Sequence, residues 1–384
     1  MGRRLLIVGL ALALALIPRS AGAHALLLGT DPSPDALLQQ PPAAITLTFT
    51  ESVSPVGHGI NVFSPNGRQV AAPARPVGRA LTASMVSLET GTYVVTWQLL
   101  AADTHPSRGA FRFVVGRPSA NPYASLLSGG EIGTATPLGF ALQALARWMH
   151  FFGLALTFGV IIYQQLSRRE LRLRRLVSAG LALLIAAEPV ALIAQLASLS
   201  FDGATAIDVL ASGFGRLLGL RLAIAVLLWA VLALDTFWPL LGLGVAMALI
   251  DGATGHAIPG LPGAGLALNA VHVAAMVLWV GGLVGILYAP PIPPTMTRPH
   301  KGGGTYALVA FAVSVVSGLL LALAHIGFPP ALPTTGYGWA LVVKIVVVGI
   351  ALAVALLGRR RAEFGVVAII LATAAVLVSL PPPR

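Results

Sequence analysis

Apolar and polar positions follow two different rhythms along this chain, and the change of rhythm divides it. Ile45, Leu47 and Phe49 fall at every second position of AITLTFTES, the period of a strand with one buried face. GINVFSPNGRQV, ALTASMVSL, TYVVTWQLL and AFRFVVG continue in the same manner, with Asn66-Gly67 placed as a hairpin turn. Five or more short strands between turn signals predict an all-β sandwich or small barrel over residues 24–116, long enough to fold alone. From Pro137 the alternation gives way to long apolar runs at about 138–166, 176–199, 214–234, 238–257, 266–288, 304–326, 339–357 and 364–380. Each is of the length that crosses a bilayer as a helix. The chain therefore reads as multidomain: a β domain, a linker over 117–136 with Pro118, Pro122 and adjacent glycines, and an all-α polytopic bundle of about eight transmembrane helices over 137–384.

One further apolar run precedes the β domain. Arg3 and Arg4 lead into Leu5 to Ile17, Pro18 interrupts, and Ala21-Gly22-Ala23 supplies the small residues of a peptidase site. The run is shorter than the roughly 20 residues a membrane anchor needs, so residues 1–23 read as an export signal rather than a retained helix. Cleavage after Ala23 makes His24 the first residue of the mature chain and puts the β domain outside the cytoplasm of a bacterium.

Composition narrows the chemistry. Hydrophobic residues make up 57% of the 384 and charged ones 10%, which fits a chain lying mostly within the plasma membrane. There is no cysteine, which excludes disulfides, thiolate zinc, iron-sulfur clusters and CxxC metal transfer. The net charge of +11 raises nucleic acid as a partner, but the distribution of that charge removes it. With the β domain outside, the first span runs inward; Arg168, Arg169, Arg172, Arg174 and Arg175, then Arg298 and Lys301, then Arg359, Arg360 and Arg361 all fall in cytoplasmic loops. The outward loops 200–213, 258–265 and 327–338 have no Lys or Arg, and the first contains Asp202 and Asp208.

The polar exceptions in the β domain carry its chemistry. Asp103 and His105 lie two apart in LLAADTHPSRG, on one face if the strand continues. A mature His24 adds an α-amine and an imidazole. Three nitrogens and one carboxylate oxygen form the tetragonal set that copper(II) prefers, and the absence of thiolate argues against a blue-copper centre. The plainer alternative is that Asp103 and His105 only shape a turn before Pro106.

HALLLGTDPSPDALLQQPPAAITLTFTESV and DTHPSRGAFRFVVG resemble the CopC family of periplasmic copper-binding proteins. The resemblance implies a cupredoxin-like (Ig-like) barrel or sandwich and copper(II) held by His24, Asp103 and His105. It places Glu51 as a partner behind the ligands. Relatives with a second, methionine-rich copper(I) site differ from this chain, which has only Met85 inside the domain, with His58 as a candidate remnant.

In the membrane half, ionisable residues within spans are costly and face a bundle interior or cavity. His150 lies in span one, His256 at the end of span four, His272 in span five and His325 at the end of span six, all on the side of the β domain in this topology. Arg147, Glu188, Asp251 and Lys344 join them. Arg147 and His150 share a helix face, as do His272 and Met276; Glu188 precedes Pro189, whose ring frees backbone carbonyls. Against a transport role stand plainer ones: histidines bonding headgroups, Arg147 with Glu188 as a structural ion pair, Met276 as packing.

RWMHFFG, TGHA, NAVHVAAMVLWVGGL, SGLLLA and YGWALVVKIVVVG followed by LLGRRR resemble the CopD family of copper-resistance membrane proteins, in order and spacing across residues 137–361. Two features depart from the pattern: KGGGTYALVAFA lacks an Arg-Phe-Ser entry to span six, and the first Arg of LLGRRR stands where relatives have Asn. The chain thus looks like a CopC and CopD fusion. The resemblance implies copper movement from the outer face inward, with His150, His256 and His272 as membrane copper ligands. Copper in the membrane is expected as copper(I), and an outer copper donor and a cytoplasmic acceptor are the expected partners, besides the lipid. No P-loop or DKTG motif is present to drive transport with ATP, and no enzyme activity is expected. Two rival readings are a membrane haem oxidoreductase with His150 and His272 as axial ligands, and an oxygen-activating copper centre at His24 and His105, which an Asp103 ligand disfavours.

Overall fold

The computed structural model describes residues 25, 27–101, 106–128, 136–167, 173–232, 237–255, 258, 261–288, 302–325, 335–357 and 360–380. They fall into two compact units, one within 21–140 with 192–216, the other within 141–191 with 217–384.

The first of these contains eight strands: β1 Leu27–Asp31, β2 Leu37–Leu38, β3 Ala44–Phe49, β4 Val53–Phe63, β5 Arg75–Val77, β6 Ala80–Ser84, β7 Gly91–Ala101 and β8 Pro106–Val115. They form two four-stranded sheets, ordered β1-β3-β6-β5 and β2-β8-β7-β4. Alternation fixes the inner face: Ile45, Leu47 and Phe49 of the first sheet and Tyr93, Val95 and Trp97 of the second belong to one core. Phe49 meets Trp97 edge to face at 5.5 Å, and Tyr93 stacks on Phe113 at 4.9 Å. The Asn66-Gly67 turn is present, with Gly67 N donating to Ser64 O at 2.8 Å and Gly67 at φ +78°.

β7 is buried along both faces, unlike β3. The reason is a second cover. Val56 and Leu100 pack with Val209, Leu192, Leu196, Leu199 and Phe214 in a small cluster of their own, so TYVVTWQLL reads as a nearly continuous apolar run. Val209 belongs to a short helix, Gly203–Ala211, within the segment 200–213 that the sequence predicts as a loop. Asp202 caps that helix by accepting from Thr205 N at 2.8 Å. Its Asp208 Oδ2 accepts from Gly57 N at 2.7 Å, at the irregularity in β4 between Pro55 and Ile60.

In chain order the helices are α1 Pro137–Leu154, α2 Val160–Ser167, α3 Arg174–Ser198, α4 Gly203–Ala211, α5 Gly213–Leu232, α6 Phe237–Thr254, α7 Pro262–Tyr288, α8 Gly302–His325, α9 Gly336–Leu356 and α10 Arg360–Ser379. Each of the eight expected apolar segments is helical. Among the described residues six are long and apolar enough to cross a membrane, while Phe237–Ala253 and Gly365–Ser379 are shorter apolar stretches. α1 and α2 are joined by a π-helical turn, Ala155–Gly159, in which Thr157 Oγ1 donates to Gly153 O at 2.8 Å. Gly159 there lies against the backbone of Val277 and Gly281 on α7, an approach that admits no side chain.

Candidate metal-handling residues

His24, Asp103, His105 and His256 lie outside the described residues, as do residues 1–23 and His300. Their described neighbours are firmly placed. Ala25 is buried in the β-domain core. β7 ends at Ala101, β8 begins at Pro106, and Leu100 pairs with Pro106. Glu51 is a buried carboxylate between β3 and β4. His58 is exposed at the β4 irregularity, and Met85 is buried in the core.

In the second unit three of the singled-out residues converge. His150 of α1, Glu188 of α3 and Asp251 of α6 are all buried, at 4%, 3% and 5% exposure. Three ionisable side chains from separate helices are thereby withdrawn from the surface together. His150 Nε2 lies 3.1 and 3.0 Å from the two Asp251 oxygens, and Nδ1 lies 3.3 Å from Glu188 Oε1. One imidazole thus faces a carboxylate at each ring nitrogen. Asp251 has a further partner: Arg221 Nη2 of α5 stands 2.7 Å from Asp251 Oδ1 and donates to Thr254 Oγ1 at 2.9 Å. Thr254 Oγ1 in turn donates to Asp251 O at 3.0 Å. Two carboxylates, a guanidinium and an imidazole therefore balance one another within apolar helices, the condition under which such groups are tolerated there.

Arg221 was not among the expected residues. Its signal was present, because RLAIAVLLWAV is apolar after its first residue and a charge inside a span calls for a partner. Arg147 donates to Ser379 Oγ at 3.1 Å, and Trp148 Nε1 to Ala368 O at 3.3 Å; both bonds tie α1 to α10. Among the described residues no group of three or more His, Asp and Glu side chains is disposed to hold a metal ion.

His272 and His325 occupy a different setting. His272 Nδ1 lies 3.0 Å from Ser314 O and 3.1 Å from Ser317 Oγ; a carbonyl only accepts, so Nδ1 carries the hydrogen. His325 Nδ1 likewise donates to Leu321 O at 2.7 Å. Both rings, with Met276 and Lys344, line one cavity of about 300 Å3. His150 is not among its lining residues.

Family models match two parts of the chain: the CopC domain over residues 27–116, and copper resistance protein D over residues 304–363. The copper transport protein CutJ of Bacillus subtilis (strain 168) is 25% identical over 432 residues, spanning 97% of this chain and 77% of that protein. Copper resistance protein C of Xanthomonas campestris pv. juglandis is 34% identical over 113 residues, or 27% of this chain and 88% of that protein. Protein YobA of Escherichia coli (strain K12) is 31% identical over 26% of this chain and 86% of its own length. Of solved structures, CopC from Methylosinus trichosporium OB3b is 28% identical, covering 26% of this chain and 100% of that one, with a TM-score of 0.23.

Proposed function

The chain belongs to the copper-resistance and copper-transport family that carries CopC and CopD domains, and we propose that it captures copper(II) outside the plasma membrane and carries copper inward across it. Removal of residues 1–23 exposes the α-amine and imidazole of His24. With the Asp103 carboxylate and the His105 imidazole these make a nitrogen and oxygen set suited to copper(II). Support comes from the described neighbours of these residues: Ala25 is buried in the core, and Leu100 and Pro106, on either side of Asp103 and His105 in sequence, are paired. Glu51, buried in the same domain, acts behind the ligands rather than on the metal.

The observation that carries the membrane half of this reading is the cluster of His150, Glu188, Asp251 and Arg221. Two carboxylates against one guanidinium leave one negative charge for an imidazolium or for a cation in its place, and a copper ion crossing hydrocarbon needs such a counter-charge. His256 follows two residues after Thr254, which bonds both Arg221 and Asp251, so sequence connects it to the same station. Copper(I), with its preference for imidazole and thioether, is the form proposed to move. An outer donor and a cytoplasmic acceptor complete the route. Haem ligation by His150 finds no support in this arrangement, because both its ring nitrogens face carboxylates.

The test is cellular copper content with the wild-type chain, His24→Ala and His150→Ala, together with the copper(II) electron paramagnetic resonance spectrum of each purified full-length protein. Loss of the copper(II) signal in His24→Ala and loss of uptake in both variants is the expected result. Unchanged copper content in both would remove the transport reading, and an unchanged spectrum in His24→Ala would remove the proposed ligand set.

A further inference from the structure

The membrane-helix unit holds a second polar centre whose charge is opposite in sign to what a copper station needs. It is the cavity of about 300 Å3 among α7, α8, α9 and α10. Its walls are mostly apolar and aromatic, including Trp279, Phe311 and Tyr337. No carboxylate lines it, and apart from the imidazoles and the Tyr337 phenol its one ionisable lining residue is Lys344 of α9. Seven residues separate Lys344 from Tyr337 at the start of that helix, which places its backbone roughly 10 Å along the axis at 1.5 Å per residue. Among the described residues Lys344 has neither a hydrogen-bond nor an ion-pair partner. An ammonium at such a depth in apolar surroundings is costly until an acceptor, best an anion, meets it.

The cavity is also open in a particular direction. α8 packs on α7, and α9 on α10, whereas α8 and α9 touch little among the described residues. Val315 and Leu319 of α8 and Ile345 of α9 line the cavity and are at the same time exposed on the outside of the helices. The rim is therefore lateral and apolar, on the surface that acyl chains cover. The imidazoles do not alter the sign of the site: His272 and His325 each carry the ring hydrogen on an Nδ1 that is held by a backbone carbonyl. The space equals that of about ten water molecules, enough for a polar head and a short chain but not for a two-chain lipid.

We propose that this cavity binds a single-chain amphiphilic anion, with a carboxylate-type head on Lys344 and its chain leaving between α8 and α9 past Val315, Leu319 and Ile345. Charge complementarity selects the head, and the lateral apolar rim selects the chain. A bare copper ion is disfavoured beside the ammonium by like-charge repulsion. The inference uses none of the residues proposed to hold the metal at His24, Asp103, His105 or the His150 cluster, and takes His272, expected from the sequence as a copper ligand, as part of the cavity wall.

The experiment uses the full-length protein in phosphatidylcholine nanodiscs and follows tryptophan quenching by 12-bromododecanoate and by 12-bromododecanol, with Trp279→Phe defining the part of the signal that arises in the cavity. The acid is expected to saturate that signal at a concentration about thirtyfold below the alcohol, the scale of one charge-paired contact out of water. Lys344→Met should abolish the difference and Lys344→Arg retain it. Equal binding of acid and alcohol by the wild-type protein, which requires no variant to fold, overturns the proposal. Preference for the acid unchanged in Lys344→Met, displacement of the acid by copper(I), or displacement by phosphatidylglycerol would each overturn it as well. Copper content of cells expressing Lys344→Met separates the two readings, because the loss of copper uptake in His24→Ala stands or falls without this cavity.

Discussion

Substituting Asp251 by Ala strands charge inside the helices of the membrane unit, and the cost can be worked from distances. The Arg221 contact of 2.7 Å corresponds to about 6 kcal/mol of attraction at an effective dielectric constant of about 20. Taking both ions from water offsets much of this, so the net value of the pair is small while the cost of breaking it is not; an uncompensated buried partner costs about 3–5 kcal/mol. Asp251 also holds His150 Nε2, and its side chain is 2% exposed, so water cannot readily take its place. We therefore expect Asp251→Ala to lose about 3–5 kcal/mol of unfolding free energy, measured by titrating the protein from mild micelles into a denaturing detergent. The diagnostic variant is Asp251→Ala with Arg221→Met, which removes the stranded guanidinium and should be more stable than Asp251→Ala alone. A loss below about 1 kcal/mol in the single variant, or effects of the two substitutions that add within about 0.5 kcal/mol, would refute the reasoning, because independent sites add and a charge pair does not.

Two further outcomes follow from other parts of the chain. The Asp202 carboxylate, hydrogen-bonded to Ser200 and to the backbone and hydroxyl of Thr205, is held down to about 2; a lowered value means that the cap of α4 is intact above the ordinary carboxylate range and is lost as pH falls through about 2. The Thr205 amide resonance should titrate there in the wild-type protein, and the inflection should vanish in Asp202→Asn. A Cβ on Gly159 collides with the Val277 carbonyl oxygen and meets the Gly281 Cα at 2.9 Å, so Gly159→Ala should cost about 1–3 kcal/mol by overpacking, read by the same detergent titration, while Gly219→Ala, with open space around it, should cost nothing comparable.

Much of the fold was legible because its periods are strong. The alternation of residues 44–49 gave a strand with its inner face correctly assigned, and every long apolar run became a helix. Strands such as Leu37–Leu38 and Arg75–Val77 were not legible, since two or three residues are too few to show a period. α4 was hidden because its Val209 buries against Val56 and Leu100, far off in sequence, and because Gly203 and Ser212 at its ends carry turn signals. Of the eight expected spans, six are long and apolar enough to cross a membrane among the described residues, and the other two are the shorter apolar stretches Phe237–Ala253 and Gly365–Ser379. Of the membrane residues, His150, Glu188 and Asp251 could be singled out one at a time as polar groups in apolar runs. Their convergence could not, for no local spacing relates α1, α3 and α6.

That convergence also bears on which polar residues belong to a cation route. Of the chain's 13 acidic side chains, Glu188 lies inside α3 and Asp251 in the last turn of α6, and both are buried. Both of them touch His150. Two buried carboxylates of this unit therefore meet at a single imidazole. Arg221 meets Asp251 from the far side of that imidazole and cancels one of the two charges, leaving the amount that one imidazolium, or one monovalent cation in its place, would balance. A divalent ion would leave the cluster with excess positive charge in a medium that penalises it, and this is the electrostatic reason why copper(I) is the form proposed to pass the membrane, while the ligands proposed at His24, Asp103 and His105, with their carboxylate and amine, suit copper(II).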